Sequence, residues 1–289
     1  MIERLRIAAA SVASRPGDTK GNLGRIEAVC GQAARQGAQL VLTPELSLTG
    51  FVPNHPAGDH AAWLREALAG ARRIAERLDG GALDGLASVA ARTGVMIAAG
   101  LLEDAGNLLF NSTVLVDAGG VLGVFRKMHV PMFEMPFYNG GPAPEVAATN
   151  LGRIGVNICF DALLPESTRL LAVQNAELVL FPFAADPPPG TAAAWADWAG
   201  PALRARCREN GVFGVAVNYQ GTVRFAGVEQ TFPGGALVVG PKGEGIASEV
   251  EGGSLLIADL EAAALAAARS EPEYLFRFRR PELYGPLAR

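Results

Sequence analysis

Short apolar runs alternate along this chain with longer, alanine-rich stretches of helical period. Leu5 to Ser14 reads as a strand. Lys20 to Gln36 reads as a helix, with Asp18 or Thr19 as its N-cap and Gly37 as its stop. Ala38 to Thr43 is a second strand, Leu83 to Thr93 lies on a helix, and Val95 to Leu102 is a third strand. Asn111 to Val116 and Gly123 to Arg126 flank the turn signal Asp117-Ala-Gly-Gly120, which predicts a hairpin. Ile154 to Cys159 and Leu178 to Phe183 are strands separated by a helix from Glu166 to Asn175. Ala192 to Asn210 is helical and Val212 to Asn218 is a strand. Gly235 to Val239 pairs with Ile246 to Glu249 across Pro241–Gly245, and Leu255 to Asp259 is a strand before a last alanine-rich helix. Strands alternating with helices, plus hairpins, predict mixed sheets covered by helices, an α/β fold.

Composition narrows the picture. Hydrophobic residues make up 49% of the 289 residues and charged residues 19%, enough for a large core and without a signature of disorder. No linker or shift in composition divides the chain, so a single domain over 1–289 is expected. The tail, 271–289, is rich in Pro, Tyr, Phe and Arg and has little helical period, which suits packing against a neighbouring subunit. A net charge of −4 with no Lys/Arg-rich tract gives no reason to expect nucleic acid or an anionic membrane as partner. The first residues, Met1-Ile-Glu-Arg-Leu-Arg6, lack the apolar stretch of a signal peptide, and no apolar run is long enough to span a bilayer. Cys30, Cys159 and Cys207 are widely spaced, which is neither a disulfide framework nor a zinc pattern and fits a reducing cytoplasm.

Three residues end apolar stretches. Glu45 follows Leu40-Val-Leu-Thr-Pro44, Lys127 follows Val121-Leu-Gly-Val-Phe-Arg126, and Cys159 closes Gly155-Val-Asn-Ile158. In open α/β sheets the carboxyl ends of strands are where sites are built. Taken singly, each has an ordinary reading: a solvent-facing carboxylate, a solvated lysine, an inert core thiol. The last is the default for Cys30 and Cys207. Together they supply a carboxylate base, a cation for a developing oxyanion, and a thiol nucleophile. Competing patterns are missing: there is no Gly-x-Ser-x-Gly, no His-Glu-x-x-His and no P-loop, and three histidines (His55, His60, His129) do not readily make a metal site.

The three segments resemble the motifs of the nitrilase, or carbon–nitrogen hydrolase, superfamily, in the same order. The glutamate motif is Thr43-Pro-Glu-Leu-Ser-Leu-Thr-Gly50, the lysine motif Phe125-Arg-Lys-Met-His-Val-Pro131, and the nucleophile motif Gly155-Val-Asn-Ile-Cys-Phe-Asp-Ala-Leu-Leu-Pro-Glu166. The resemblance runs from the first strand to about Asp259. It implies a four-layer αββα sandwich, a homodimer or higher homo-oligomer, no cofactor, and catalysis by Glu45, Lys127 and Cys159. It also implies a second glutamate, for which Glu134, seven residues after Lys127, is the candidate. His129 is then structural, and the backbone N–H of Phe160 joins Lys127 in holding the oxyanion.

Specificity is harder to read. Relatives acting on N-carbamoyl amino acids often carry arginines shortly after the cysteine. Here Phe160 to Leu164 has none, and Arg169 lies further along a helix, which disfavours a substrate with an α-carboxylate. Nitrilases proper commonly have Trp-Glu after the cysteine, where this chain has Phe160-Asp161, which favours amides. Phe133, Tyr138 and Phe183 are candidates to line the substrate pocket, with Phe51 and Phe137 either beside them or bracing loops. The loop Asp186-Pro-Pro-Pro-Gly190, with Trp195 and Trp198 beyond it, either walls the pocket or packs a helix onto a neighbour. The expectation is an amidase for a small neutral amide. The alternatives are a nitrilase or N-carbamoyl amine amidase on the same three residues, or a binding protein that kept the fold, against which the intact Glu45, Lys127 and Cys159 argue.

Overall fold

In the computed structural model of the chain, which describes residues 1–53 and 59–288, alternate side chains of the central strands enter two different cores. Ile7, Ala9, Leu40, Leu42, Met96 and Ala98 point one way; Ala8, Ala10, Val41, Ile97 and Ala99 point the other. That is the two-residue period of a strand with both faces covered.

The sheet they belong to has six strands in the order β14 (Leu255–Glu261), β1 (Arg4–Ala10), β2 (Leu40–Leu42), β3 (Met96–Asp104), β4 (Leu109–Asp117) and β5 (Gly120–Arg126). β1, β2 and β3 run parallel; the outer pairs are antiparallel. The second six-stranded sheet runs β13 (Gly245–Glu249), β12 (Ala236–Val239), β9 (Phe213–Asn218), β8 (Leu178–Phe183), β7 (Gly152–Val156) and β6 (Ala147–Thr149), with β7, β8 and β9 parallel. Side chains from both sheets share one core, in which Leu42, Leu115 and Phe125 lie with Ile154, Leu180 and Val215. Each fully buried Leu, Val or Phe contributes about 1.5–3 kcal/mol relative to exposure.

Helices close both outer faces. α1 (Thr19–Arg35) and α3 (Gly81–Thr93) bury Ile26, Cys30, Leu83, Leu86 and Val89 against the first sheet. α5 (Ala192–Asn210) lays Trp195, Ala199, Leu203 and Cys207 on the second, with α4 (Pro165–Ala172) beside it. The result is helix, sheet, sheet, helix, the αββα architecture that the resemblance implies. Asp18 caps α1, its side chain accepting from the Gly21 amide.

The departures are local. β1 ends at Ala10 rather than running to Ser14. Helix α2 (His60–Ile74) and the hairpin β10 (Gln220–Phe225)–β11 (Val228–Pro233) are not anticipated from the sequence. Both carried a signal: Trp63, Ala67 and Ala71 form a buried i, i+4, i+8 stripe. Ala226 and Gly227, both at positive φ, make the tight turn of the hairpin. α6 (Ala262–Ser270) precedes the tail. The start of that tail docks on its own chain: Tyr274 Oη donates to the Asn210 carbonyl, and the Arg169 guanidinium lies 5.2 Å from the Phe276 ring centroid. Among the described residues no helix is long and apolar enough to cross a membrane.

Candidate active site

Four polypeptide segments meet at the carboxyl ends of the parallel strands. After β2, Thr43 and Pro44 lead into a turn that carries Glu45. Thr43 Oγ1 and Ser47 Oγ lie 2.7 Å apart, and the Leu48 amide donates to the Gly100 carbonyl at 2.7 Å. Leu46 is held at φ 54°, a left-handed conformation that costs an L-residue about 1–2 kcal/mol. β3 runs directly beneath. A Cβ at Gly100 would stand 2.3 Å from the Leu46 nitrogen and 2.7 Å from the Pro44 carbonyl oxygen. Gly100→Ala is therefore expected to push the Glu45 turn outward, lowering stability by the ~1–3 kcal/mol typical of overpacking and reducing kcat. Thermal denaturation and steady-state kinetics would check it.

Lys127 is the first residue past β5, and its backbone N–H donates to the Asn111 carbonyl of β4 at 2.8 Å. Its ammonium donates to Glu45 Oε1 at 2.8 Å and to Glu134 Oε2 at 2.6 Å. Asn111 Nδ2 also donates to Glu45 Oε1, at 2.6 Å. Glu45 and Lys127 are fully buried and Glu134 is 3% exposed. Asn111 escaped the sequence reading. Its signal was a polar amide inside the apolar strand Leu109–Asp117, a place where a buried polar group needs a partner.

Glu134 belongs to a tight turn. Its own amide donates to the Pro131 carbonyl, and the Phe137 and Tyr138 amides donate back to the Glu134 carbonyl at 2.8 and 3.1 Å. The turn sorts its side chains: Glu134, Phe137 and Tyr138 are buried, whereas Met132, Phe133 and Met135 are exposed. Phe133, a candidate pocket residue, is 54% exposed.

The nucleophile segment corrects one expectation. The strand does not reach Cys159; β7 stops at Val156, and Cys159 begins a short 3-10 helix, Cys159–Leu163, at φ 48°. The thiol thus sits at a strained corner, with the half-buried Phe160 next in the helix. The Ala184 backbone acts on the thiol in the opposite sense to burial, favouring its ionised form. Asp161 ties this corner to the lysine loop. Its carboxylate accepts from the amides of Met128, His129 and Ile158 and lies 2.8 Å from His129 Nδ1. His129 is accordingly engaged with Asp161, as the structural reading of it requires.

The other pocket candidates divide. Phe183 is fully buried, its ring 5.6 Å from Trp195 and 6.3 Å from Trp198, and it braces α5. Phe51 packs edge-on to Phe232 and Tyr219. Arg169 donates to the Glu209 carbonyl and faces the tail. Asp186 accepts from Gln230 Nε2 of β11. Among the described residues no group of three or more His, Cys, Asp or Glu side chains is placed to hold a metal ion.

Electrostatics follow from burial and charge. Burial opposes the Lys127 ammonium, but Glu134 and Glu45 outweigh it and hold its pKa well above the ordinary value. Burial, opposed by Lys127 and reinforced by Glu45, pushes the Glu134 carboxyl up to about 7. Burial, then Glu45, raises the Cys159 thiol well above its usual range despite Lys127. Cys159 thus rests as a thiol, and a thiol so held needs a base before it can attack.

This geometry has counterparts in known proteins. The family model for carbon-nitrogen hydrolase matches residues 6–270. The chain is 34% identical to a nitrilase of Pyrococcus abyssi over 233 residues, 80% of each chain. It is 28% identical to a citrullinase of Francisella tularensis over 280 residues, 93% of each. The crystal structure of an amidase from Nesterenkonia sp. superposes with a TM-score of 0.77 at 28% identity, covering 98% of this chain and 96% of that one. A variant of the same amidase, with a TM-score of 0.75 at 27% identity over 98% of this chain and 99% of that one, shows Michael addition of acrylamide at its active-site cysteine. With its αββα layers and its match over most of its length, the chain belongs to the carbon–nitrogen hydrolase family of the nitrilase superfamily and is a C–N hydrolase.

Proposed function

We propose that this hydrolase is an amidase for a small neutral amide, acting through a thioester on Cys159. The observation that carries the reading is one buried ammonium held between two buried carboxylates beside a thiol. An ammonium has three N–H groups; Lys127 commits one to each carboxylate, which leaves the third for a substrate oxygen.

Glu45 Oε1 accepts from Asn111 and Lys127, while Oε2 has no partner among the described residues. That free oxygen takes the Cys159 proton as the sulfur attacks the amide carbon. The C=O electron pair moves onto oxygen, which the third Lys127 N–H and the Phe160 amide stabilise. Collapse of the tetrahedral intermediate breaks the C–N bond, and Glu45 returns the proton to the departing amine. Water, deprotonated by Glu45, then attacks the thioester; the acid leaves, and the thiol is restored. Glu134 anchors Lys127 and meets the substrate amide nitrogen. Phe160 and Tyr138 border the substrate, and Phe133 stands at the rim.

The similarity to a citrullinase favours a second reading, hydrolysis of an N-carbamoyl group on the same residues; the nitrilase relative favours nitrile hydrolysis. Products and substrate consumption separate them. An N-carbamoyl amine gives the free amine, ammonia and carbon dioxide, whereas an amide and a nitrile both give ammonia and the carboxylic acid and are told apart by which of the two compounds is consumed. Turnover of a panel of the three classes is expected to be fastest with amides; carbon dioxide or nitrile-derived acid as the dominant product would overturn that assignment. The rate is expected to fall on the acid side of about pH 7, where the Glu134 carboxyl takes up a proton. We also place the chain in a homodimer or higher homo-oligomer. Phe278, Leu283 and Tyr284 of the tail are exposed on the single chain, which supports tail packing between copies.

A further inference from the structure

We propose that the Tyr138 hydroxyl is a specificity-determining group, hydrogen-bonding a polar atom that the substrate carries on the carbon next to the scissile carbonyl. This rests on the amidase reading above and deepens it: the preferred substrates are amides bearing a hydroxyl or amino group at that carbon, rather than plain alkyl amides.

The argument starts from an unmet hydrogen bond. Tyr138 is 4% exposed, and its Oη has no partner among the described residues. A phenol donates one hydrogen bond and accepts others, so burying it unpaired is costly unless something else provides the partner. The packing says where the side chain lies. Tyr138 follows Glu134 by four residues, its amide donating to the Glu134 carbonyl in one helical turn. Tyr138 shares a buried cluster with Leu46, the residue after Glu45, and with Ala184. Glu134 reaches the Lys127 ammonium, while Met132 and Met135 of the same turn are exposed.

The surroundings agree. Burial, followed by the Glu134 and Glu45 charges, keeps the phenol protonated and makes it a neutral donor. Its ring is fixed from behind, with Phe137 at 6.0 Å and Trp63 edge-on to Phe137 at 5.7 Å. The substrate's own amide atoms are already assigned, the oxygen to Lys127 and Phe160, the nitrogen to Glu45 and Glu134. A partner for Tyr138 must come from the acyl part of the molecule. A site built to bond a substrate hydroxyl discriminates strongly against the analogue that lacks it.

Lactamide and isobutyramide test this directly, because a hydroxyl in one replaces a methyl in the other. Wild-type kcat/KM is expected to favour lactamide by about 10- to 100-fold. Tyr138→Phe is expected to bring the ratio close to one, chiefly by lowering the lactamide value. Its melting temperature should be unchanged or higher, since no protein group loses a partner; a hydroxyl of purely structural role would lower it. Equal ratios in wild type and variant would overturn the proposal while leaving the amidase reading intact. So would a wild type that shows no preference for lactamide, a result that needs no folded variant. Absence of both ammonia and an acyl adduct on Cys159 with either compound would overturn the proposal together with the reading it rests on.

Discussion

Cys159→Ala is expected to abolish ammonia release from every amide that the wild type cleaves, a loss of roughly 10⁴-fold or more in kcat. In the proposed mechanism the thiol forms the covalent bond, and no neighbour can replace it. Cys30 and Cys207 are buried in helix-packing layers, and burial pushes the Cys30 thiol up to about 12 and raises Cys207 further. The decisive readout is intact-protein mass after brief mixing with substrate. An acyl adduct should form on wild type and be missing from the variant. Retained turnover, or an adduct on the variant, would remove Cys159 from the mechanism. Stability should change little, because a small side chain replaces a small one at a site that is 7% exposed.

Lys127→Met has consequences for both activity and stability. Removing one oxyanion donor typically costs 10²–10³ in kcat, and here the cation that organises both carboxylates is lost as well. It leaves Glu45 and Glu134 buried without their shared positive charge. Breaking a buried ion pair by removing one member typically costs ~3–5 kcal/mol. The pH dependence has a definite sign. The Glu134 carboxyl, already pushed up to about 7 by burial, loses the Lys127 charge that opposes the rise, so it binds its proton more tightly folded than unfolded. Stability of the variant should therefore fall as pH rises from the ordinary carboxylate range through the raised folded value and recover toward acid. Adding Glu134→Gln should restore much of the melting temperature and none of the activity. If Lys127→Met were as stable as wild type at every pH, the three-group charge cluster would not have the energetic role assigned to it.

The sequence made the candidate catalytic segments legible because each is local. Glu45, Lys127 and Cys159 stand just beyond apolar strands, a pattern visible within a dozen residues of chain. Glu134 came from the resemblance, which implies a second glutamate in the loop after Lys127. Asn111 and Asp161 were not read as site residues because their roles are contacts across the fold: Asn111 meets Glu45 from 66 positions away, and Asp161 meets His129 from 32. Pocket aromatics were the least legible. An apolar ring suits a core as well as a binding wall, and only packing separates Phe183 on α5 from Phe133 in solvent.

The sequence by itself determined the layered α/β class, most of the strands, and which residues follow them, because alternation and helical period are one-dimensional signals of which face is covered. The tertiary structure decided what those residues do to one another. It turned the chain sharply at Cys159, placed Gly100 under the Glu45 turn, and closed Lys127 between two carboxylates. It also left Tyr138 Oη and Glu45 Oε2 without partners among the described residues. Such properties depend on burial and on distances between atoms remote in sequence, where removal from water makes a charge or an unpaired hydroxyl matter.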